Sequence, residues 1–126
     1  MVERHRLLII EDSKEVVAGL EAFFEQKYEV ITAYDGLEGL KVFEENENGI
    51  DLVISDLIMP RMSGVELLSI IRRKHPEIPV IAITGYKNNG VTSGVKLYAD
   101  KILEKPFDIL DLDKAVEMLL SGHSFS

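Results

Sequence analysis

The chain contains no cysteine. That excludes disulfides and thiolate metal sites, and it fits the cytosol, where thiols stay reduced. No apolar run approaches the ~20 residues that a membrane span needs. The first six residues, Met1-Val2-Glu3-Arg4-His5-Arg6, lead straight into a strand-like stretch with no apolar h-region or small-residue cleavage site, so no signal peptide is expected. Positive charge is scarce. There are 14 Lys and Arg against 22 Asp and Glu, for a net charge of −8. Direct nucleic-acid binding needs clustered Lys and Arg, so that function class is not expected. Cationic or metal partners suit the charge better. Internal repeats and low-complexity tracts are also missing.

What is present is a single-domain length of 126 residues, with an apolar fraction of 46% that suffices for a core. Short apolar runs alternate with segments of helical period, the mark of a parallel sheet covered by helices on both faces. The runs predict strands over residues 7–10, 29–33, 52–55, 80–83 and 101–103. Helices are predicted over about 13–25, from after Asp35-Gly36 to the turn cluster Asn46-Glu47-Asn48-Gly49, over 64–74 and over 109–120. The first carries an inward stripe of Val16, Val17, Leu20, Phe23 and Phe24, with Ser13 as its N-cap. In the second, Leu37, Leu40, Val42 and Phe43 are expected inward. A fourth helix over 87–97 is the least supported, because Asn88, Asn89, Gly90, Thr92, Ser93 and Gly94 are poor helix formers. The domain is expected to be ordered over about residues 5–121, with a polar tail over 122–126.

Function concentrates at the ends of the apolar runs. Glu11-Asp12 follow the first, Asp56 the third, Thr84 the fourth and Lys105 the fifth. In an open parallel sheet, ligands bind beyond the carboxyl ends of the strands. The fold should therefore gather three carboxylates, a hydroxyl and an ammonium at one edge. Carboxylates of this kind suit Mg²⁺, a hard cation that takes oxygen ligands and keeps several waters. Asp56 lies in a shaped loop, since Pro60 disfavours helix at Met59 and Gly64 permits a tight helix entry. A carboxylate there can act as a nucleophile toward phosphorus. Each residue taken alone has an ordinary explanation: Asp12, Ser13 or Thr84 as a helix cap, Asp56 as a turn cap, Lys105 as a surface lysine. The joint arrangement favours the chemical one.

Taken in order, Glu11-Asp12, the Asp56-x-x-Met59-Pro60-x-Met62-x-Gly64 motif, Thr84-Gly85 and Lys105-Pro106-Phe107 resemble the receiver domain of two-component response regulators over nearly the whole chain. The resemblance implies a flavodoxin-like α/β fold, (βα)5, with a parallel sheet in the order 2-1-3-4-5. It implies a phosphoacceptor signalling module, not an enzyme that turns over a substrate. Asp56 would accept phosphate from a histidine kinase or phosphotransfer protein. Glu11, Asp12, Asp56 and the Ile58 backbone carbonyl would hold Mg²⁺, and Lys105 and Thr84 would contact the phosphoryl oxygens. The Lys105–Pro106 bond would be cis. An output domain or downstream protein would use the face formed by the fourth helix, the fifth strand and the last helix. The expected location is cytoplasmic, with no membrane contact.

Three features depart from the family pattern. Ile102 stands where an aromatic residue is usual, three before the lysine, Tyr98 precedes Ala99-Asp100 where glycine is common, and the segment between Thr84 and Lys105 is one residue short. Ile102 is stiff at χ1 and has no ring to swing. Any conformational switch is therefore expected in the glycine-rich fourth helix. A phosphohydrolase of the haloacid dehalogenase type would need an acid two residues after the nucleophile, where Ile58 stands. A flavin-binding module would need a phosphate loop after the first strand, where Glu11-Asp12 would repel phosphate. A phosphate-inert receiver acting only as a binding surface is the remaining alternative.

Overall fold

Isoleucine, leucine and valine fill the strands almost without interruption, and in a parallel sheet such strands are buried on both faces. The computed structural model describes residues 4–59, 61–85 and 97–122. It contains β1 (Arg6–Ile10), α1 (Lys14–Phe24), β2 (Glu29–Ala33), α2 (Gly36–Glu45), β3 (Leu52–Asp56), α3 (Gly64–Lys74), β4 (Val80–Thr84), β5 (Lys101–Glu104) and a last helix, α4 (Ile109–Leu120). All strand pairs are parallel, in the order β2-β1-β3-β4-β5. This is the expected flavodoxin-like α/β arrangement. The helix expected over 87–97 falls in 86–96, outside the described residues, apart from Leu97 itself.

Side chains alternate across the sheet. Leu8, Ile10, Val53, Val80 and Ala82 meet Phe43 of α2 and Leu67, Leu68 and Ile71 of α3. Leu7, Ile9, Leu52, Ile54, Ile81 and Ile83 meet Leu20 and Phe24 of α1 and Leu112, Val116 and Leu119 of α4. Each fully buried aliphatic side chain contributes roughly 1.5–3 kcal/mol of transfer free energy. β1, β3 and β4 are buried along almost their whole length, whereas the edge strand β5 is only half-buried.

Helix starts are chemically marked. Ser13, Asp35 and Ser63 each accept a backbone N–H from the first turn of α1, α2 and α3, and Asp108 does so for α4. One expectation fails. Leu37 is exposed, because the buried positions of α2 are instead Gly36, Gly39 and Phe43. Gly39 lies so close to Ile10 that a β-carbon there would sit 2.8 Å from the Ile10 Cδ1.

The chain leaves β1 for β2 on one side, then crosses back past β1 through α2 to reach β3 on the other. The crevice at that reversal, beyond the carboxyl ends of β1 and β3, is where such sheets bind ligands.

Candidate functional site

Register places the site residues level with one another. Ile10 pairs with Ser55, and Ser55 with Ala82, so the next residues, Glu11, Asp56 and Ile83, stand level at the carboxyl end of the sheet. Glu11 and Asp56 are buried and Asp12 is exposed. One carboxylate oxygen from each of Glu11, Asp12 and Asp56 lies within 4.8 Å of the others. Such a set, two acids in the crevice and one at its mouth, has the oxygen chemistry and the open side that a hydrated divalent cation needs.

Lys105 reaches the cluster from the end of β5. Its Nζ is 2.7 Å from Glu11 Oε1 and 3.1 Å from Asp56 Oδ2. Burial disfavours the ammonium, yet its hydrogen bonds to Glu11 and Asp56 outweigh that cost, and its pKa is raised. The Lys105 backbone N–H donates to the Thr84 carbonyl at 2.7 Å, and the Lys105–Pro106 bond is cis, as expected. Thr84 is buried at the end of β4.

Asp12 behaves differently. Its pKa is raised by partial burial first, then by its hydrogen bond with the Glu11 carboxyl and the Glu11 charge. The second Glu11 oxygen accepts the Ser13 N–H at 2.8 Å, while the Ser13 hydroxyl caps α1. Ser13 is thus the cap, and Glu11 is held in the crevice.

The loop after β3 is shaped by backbone contacts. Ile58 N–H donates to Asp56 Oδ1 at 3.3 Å, and the Ile58 side chain is exposed. Gly64 N–H donates to the Leu57 carbonyl at 2.9 Å. A β-carbon at Gly64 would meet the Asp56 carbonyl oxygen at 2.3 Å, so only glycine lets the loop close on itself. Sequence reasoning missed two local contributors, the Ser13 N–H on Glu11 and the Ser55 hydroxyl on the Asp56 carbonyl. Ser13, two residues after Glu11, and Ser55, next to Asp56, were the available signal.

A family model described as the response regulator receiver domain matches residues 7–117. The chain belongs to that family. Response regulator RR06 of Streptococcus pneumoniae is 39% identical over 116 residues, which cover 90% of this chain and 52% of that protein. Sensor kinase CckA of Brucella abortus is 34% identical over 116 residues, 90% of this chain but only 12% of the kinase. The chain therefore spans about half of one relative and a small part of the other. Among solved structures, a receiver domain protein from Clostridium thermocellum superposes with a TM-score of 0.84 at 33% identity, covering 93% of this chain and 94% of that one. A CheX-CheY-BeF3-Mg+2 complex from Borrelia burgdorferi gives a TM-score of 0.83 at 27% identity, covering 91% and 88%. This receiver domain is a module of two-component signalling, and among its described residues no helix is long and apolar enough to cross a membrane.

Proposed function

We propose that this receiver domain takes a phosphoryl group from a histidine kinase or phosphotransfer protein onto Asp56. The supporting observation is the Lys105 ammonium bridging two buried carboxylates, Glu11 and Asp56, beside Asp12. An Asp56 carboxylate oxygen attacks phosphorus, and the bond from phosphorus to the donor histidine nitrogen breaks. The electron pair stays on the imidazole, which takes up a proton. Glu11, Asp12, Asp56 and the Ile58 carbonyl fit Mg²⁺ as ligands, directly or through water. The ion, when bound, offsets charge on the transferring oxygens. Lys105, released from part of its pairing, and Thr84 contact those same oxygens.

The domain acts as a signalling switch that assists only its own phosphorylation and dephosphorylation. Ile58 favours this reading over a phosphohydrolase, because an exposed aliphatic side chain two residues after the acceptor cannot donate a proton to a leaving group. Residues 1–126 form one receiver unit, whose output passes to a linked domain or a separate protein through the surface around β5 and α4. A cysteine-free acidic domain served by a histidine kinase is read as cytoplasmic.

Beryllofluoride with Mg²⁺ tests the assignment. Fluorine resonances of a bound adduct are expected in the parent and lost in Asp56→Asn. Equal adduct formation in the two would remove Asp56 as the acceptor. Steady turnover of p-nitrophenyl phosphate would instead favour the hydrolase.

A further inference from the structure

The acceptor loop is held at two places. Its base closes on Gly64. Its far side rests on the first turn of α2, which contributes no ligand to the acid cluster. A β-carbon on Gly36 would lie 2.2 Å from the Met62 carbonyl oxygen and 2.9 Å from the Met62 carbonyl carbon. Ordinary contacts between heavy atoms need roughly 3.5 Å. The third obstructing atom is the Met62 Cβ at 2.7 Å, and since all three belong to the backbone or are bonded directly to it, they cannot swing aside as the far end of a side chain would.

A second contact lies one residue away on each side. Asp35 uses both carboxylate oxygens. Oδ1 accepts the Glu38 N–H at 2.8 Å and caps α2, while Oδ2 faces Arg61 Nη1 at 3.3 Å. Arg61 has a φ of 76°, the only non-glycine among the described residues in the left-handed region. Such a conformation persists only where the surroundings over-determine it. The exposed ion pair is weak alone. Together with the Gly36 contact it fixes the loop between two rigid elements.

We propose that the first turn of α2 positions the acceptor site. Gly36, by admitting the Met62 carbonyl, and Asp35, by holding Arg61, set where the Ile58 peptide stands beside Asp56. The functional part rests on the reading of Asp56 and its neighbours as a Mg²⁺-dependent acceptor. Site geometry is sensitive to displacements of about 1 Å. Coupling is also reciprocal, so occupation of the site perturbs the turn over residues 34–38.

Two variants and a control test this by amide NMR, with Mg²⁺ titration and beryllofluoride capture. Gly19→Ala is the control, since nothing lies within 4 Å of a β-carbon there. In metal-free Gly36→Ala, the Ile58, Arg61 and Gly64 resonances are expected to move, with the rest of the spectrum intact. Its Mg²⁺ dissociation constant should rise roughly threefold to tenfold, while Gly19→Ala matches the parent. Arg61→Gly separates positioning from charge. Electrostatics alone predicts that removing the Arg61 cation leaves Mg²⁺ binding unchanged or tighter; the positioning role predicts weakening. Unmoved loop resonances and unchanged affinity in Gly36→Ala overturn the proposal. Should Gly36→Ala fail to fold, Arg61→Gly decides, and unchanged or tighter binding overturns it. If the parent itself binds neither Mg²⁺ nor beryllofluoride, the acceptor reading fails, and the metal-free resonances alone judge the contact.

Discussion

Arg72 Nη2 lies 2.7 Å from Asp100 Oδ2, and the same carboxylate oxygen accepts the Val80 N–H at 2.8 Å. The guanidinium also reaches three carbonyls, those of Pro76 at 2.7 Å, Ile78 at 3.2 Å and Tyr98 at 3.1 Å. One side chain of α3 thereby fastens the approaches to β4 and β5. A lysine offers a point charge and three rotatable donors, and cannot match this planar fork. Arg72→Lys should lower stability by about 1–2 kcal/mol, the range of one or two partly solvated hydrogen bonds. Urea unfolding checks it. A midpoint equal to the parent's would show the contacts to be energetically idle.

That network has no sequence signature, because Tyr98 and Asp100 lie 26 and 28 residues from Arg72 and the partners follow no period. The strands were legible, since apolar runs in a parallel sheet need no alternation. The cap Ser13 and the turn cluster Asn46-Glu47-Asn48-Gly49 delimited the first two helices, whereas the Asp35 cap emerged only in the structure. Strand ends ran one residue past the expectation at Asp56 and Thr84, because the site residues still make sheet contacts. Leu37 misled for a physical reason: two of the three buried positions of α2, Gly36 and Gly39, are glycines, which give no hydrophobic signal. The acid cluster was readable from its place at the strand ends. The support of its loop by α2 was not, since Gly36 looks like an ordinary turn glycine until its neighbour is known.

His75 caps α3 and stands between two carboxylates. Its Nδ1 is 2.9 Å from Glu77 and its Nε2 is 3.1 Å from Glu47. A neutral imidazole has one N–H and can donate to only one of them. Hydrogen bonds with Glu77 and Glu47 raise the His75 pKa above its ordinary 6.5. A raised folded pKa gives stability that is fully present below the unfolded value and is lost as pH rises through the folded one. Stability of the parent should therefore decline across the range above about pH 6.5. In His75→Gln that component should vanish. Parallel stability–pH curves for the two proteins would contradict it.

Lys105 both pairs the buried acids and competes for their oxygens. In Lys105→Met, Glu11 and Asp56 would face each other without a counter-charge. Loss of one partner from a buried pair destabilises strongly, here by roughly 2–4 kcal/mol once the partial exposure of the lysine is allowed for. Without metal, the variant should melt earlier than the parent. Its Mg²⁺ affinity should rise, because a competing cation has gone. Weaker Mg²⁺ binding in Lys105→Met would mean that the lysine organises the acids more than it competes with the ion.

Asp12 should cost the metal-free domain stability. Its folded pKa is raised above 3.8 by partial burial and by the Glu11 carboxyl. The folded state thus binds a proton at Asp12 more readily than the unfolded chain does. Its contribution is favourable below the unfolded value and is lost as pH rises through the folded one, so ionised Asp12 is a liability at neutral pH. Asp12→Asn should then be more stable than the parent near pH 7 in a chelator, and the difference should shrink as pH falls toward 4. Added Mg²⁺ should reverse the order. A ligand that binds only the folded state stabilises it in proportion to the logarithm of its concentration over the dissociation constant. The parent, with three carboxylates, gains this term fully, while the variant, with two, gains less. Thermal melts across pH and Mg²⁺ concentration decide the matter. A parent that outlasts Asp12→Asn in chelator, or a gap that Mg²⁺ leaves unchanged, would show that Asp12 neither repels Glu11 nor helps to hold the ion.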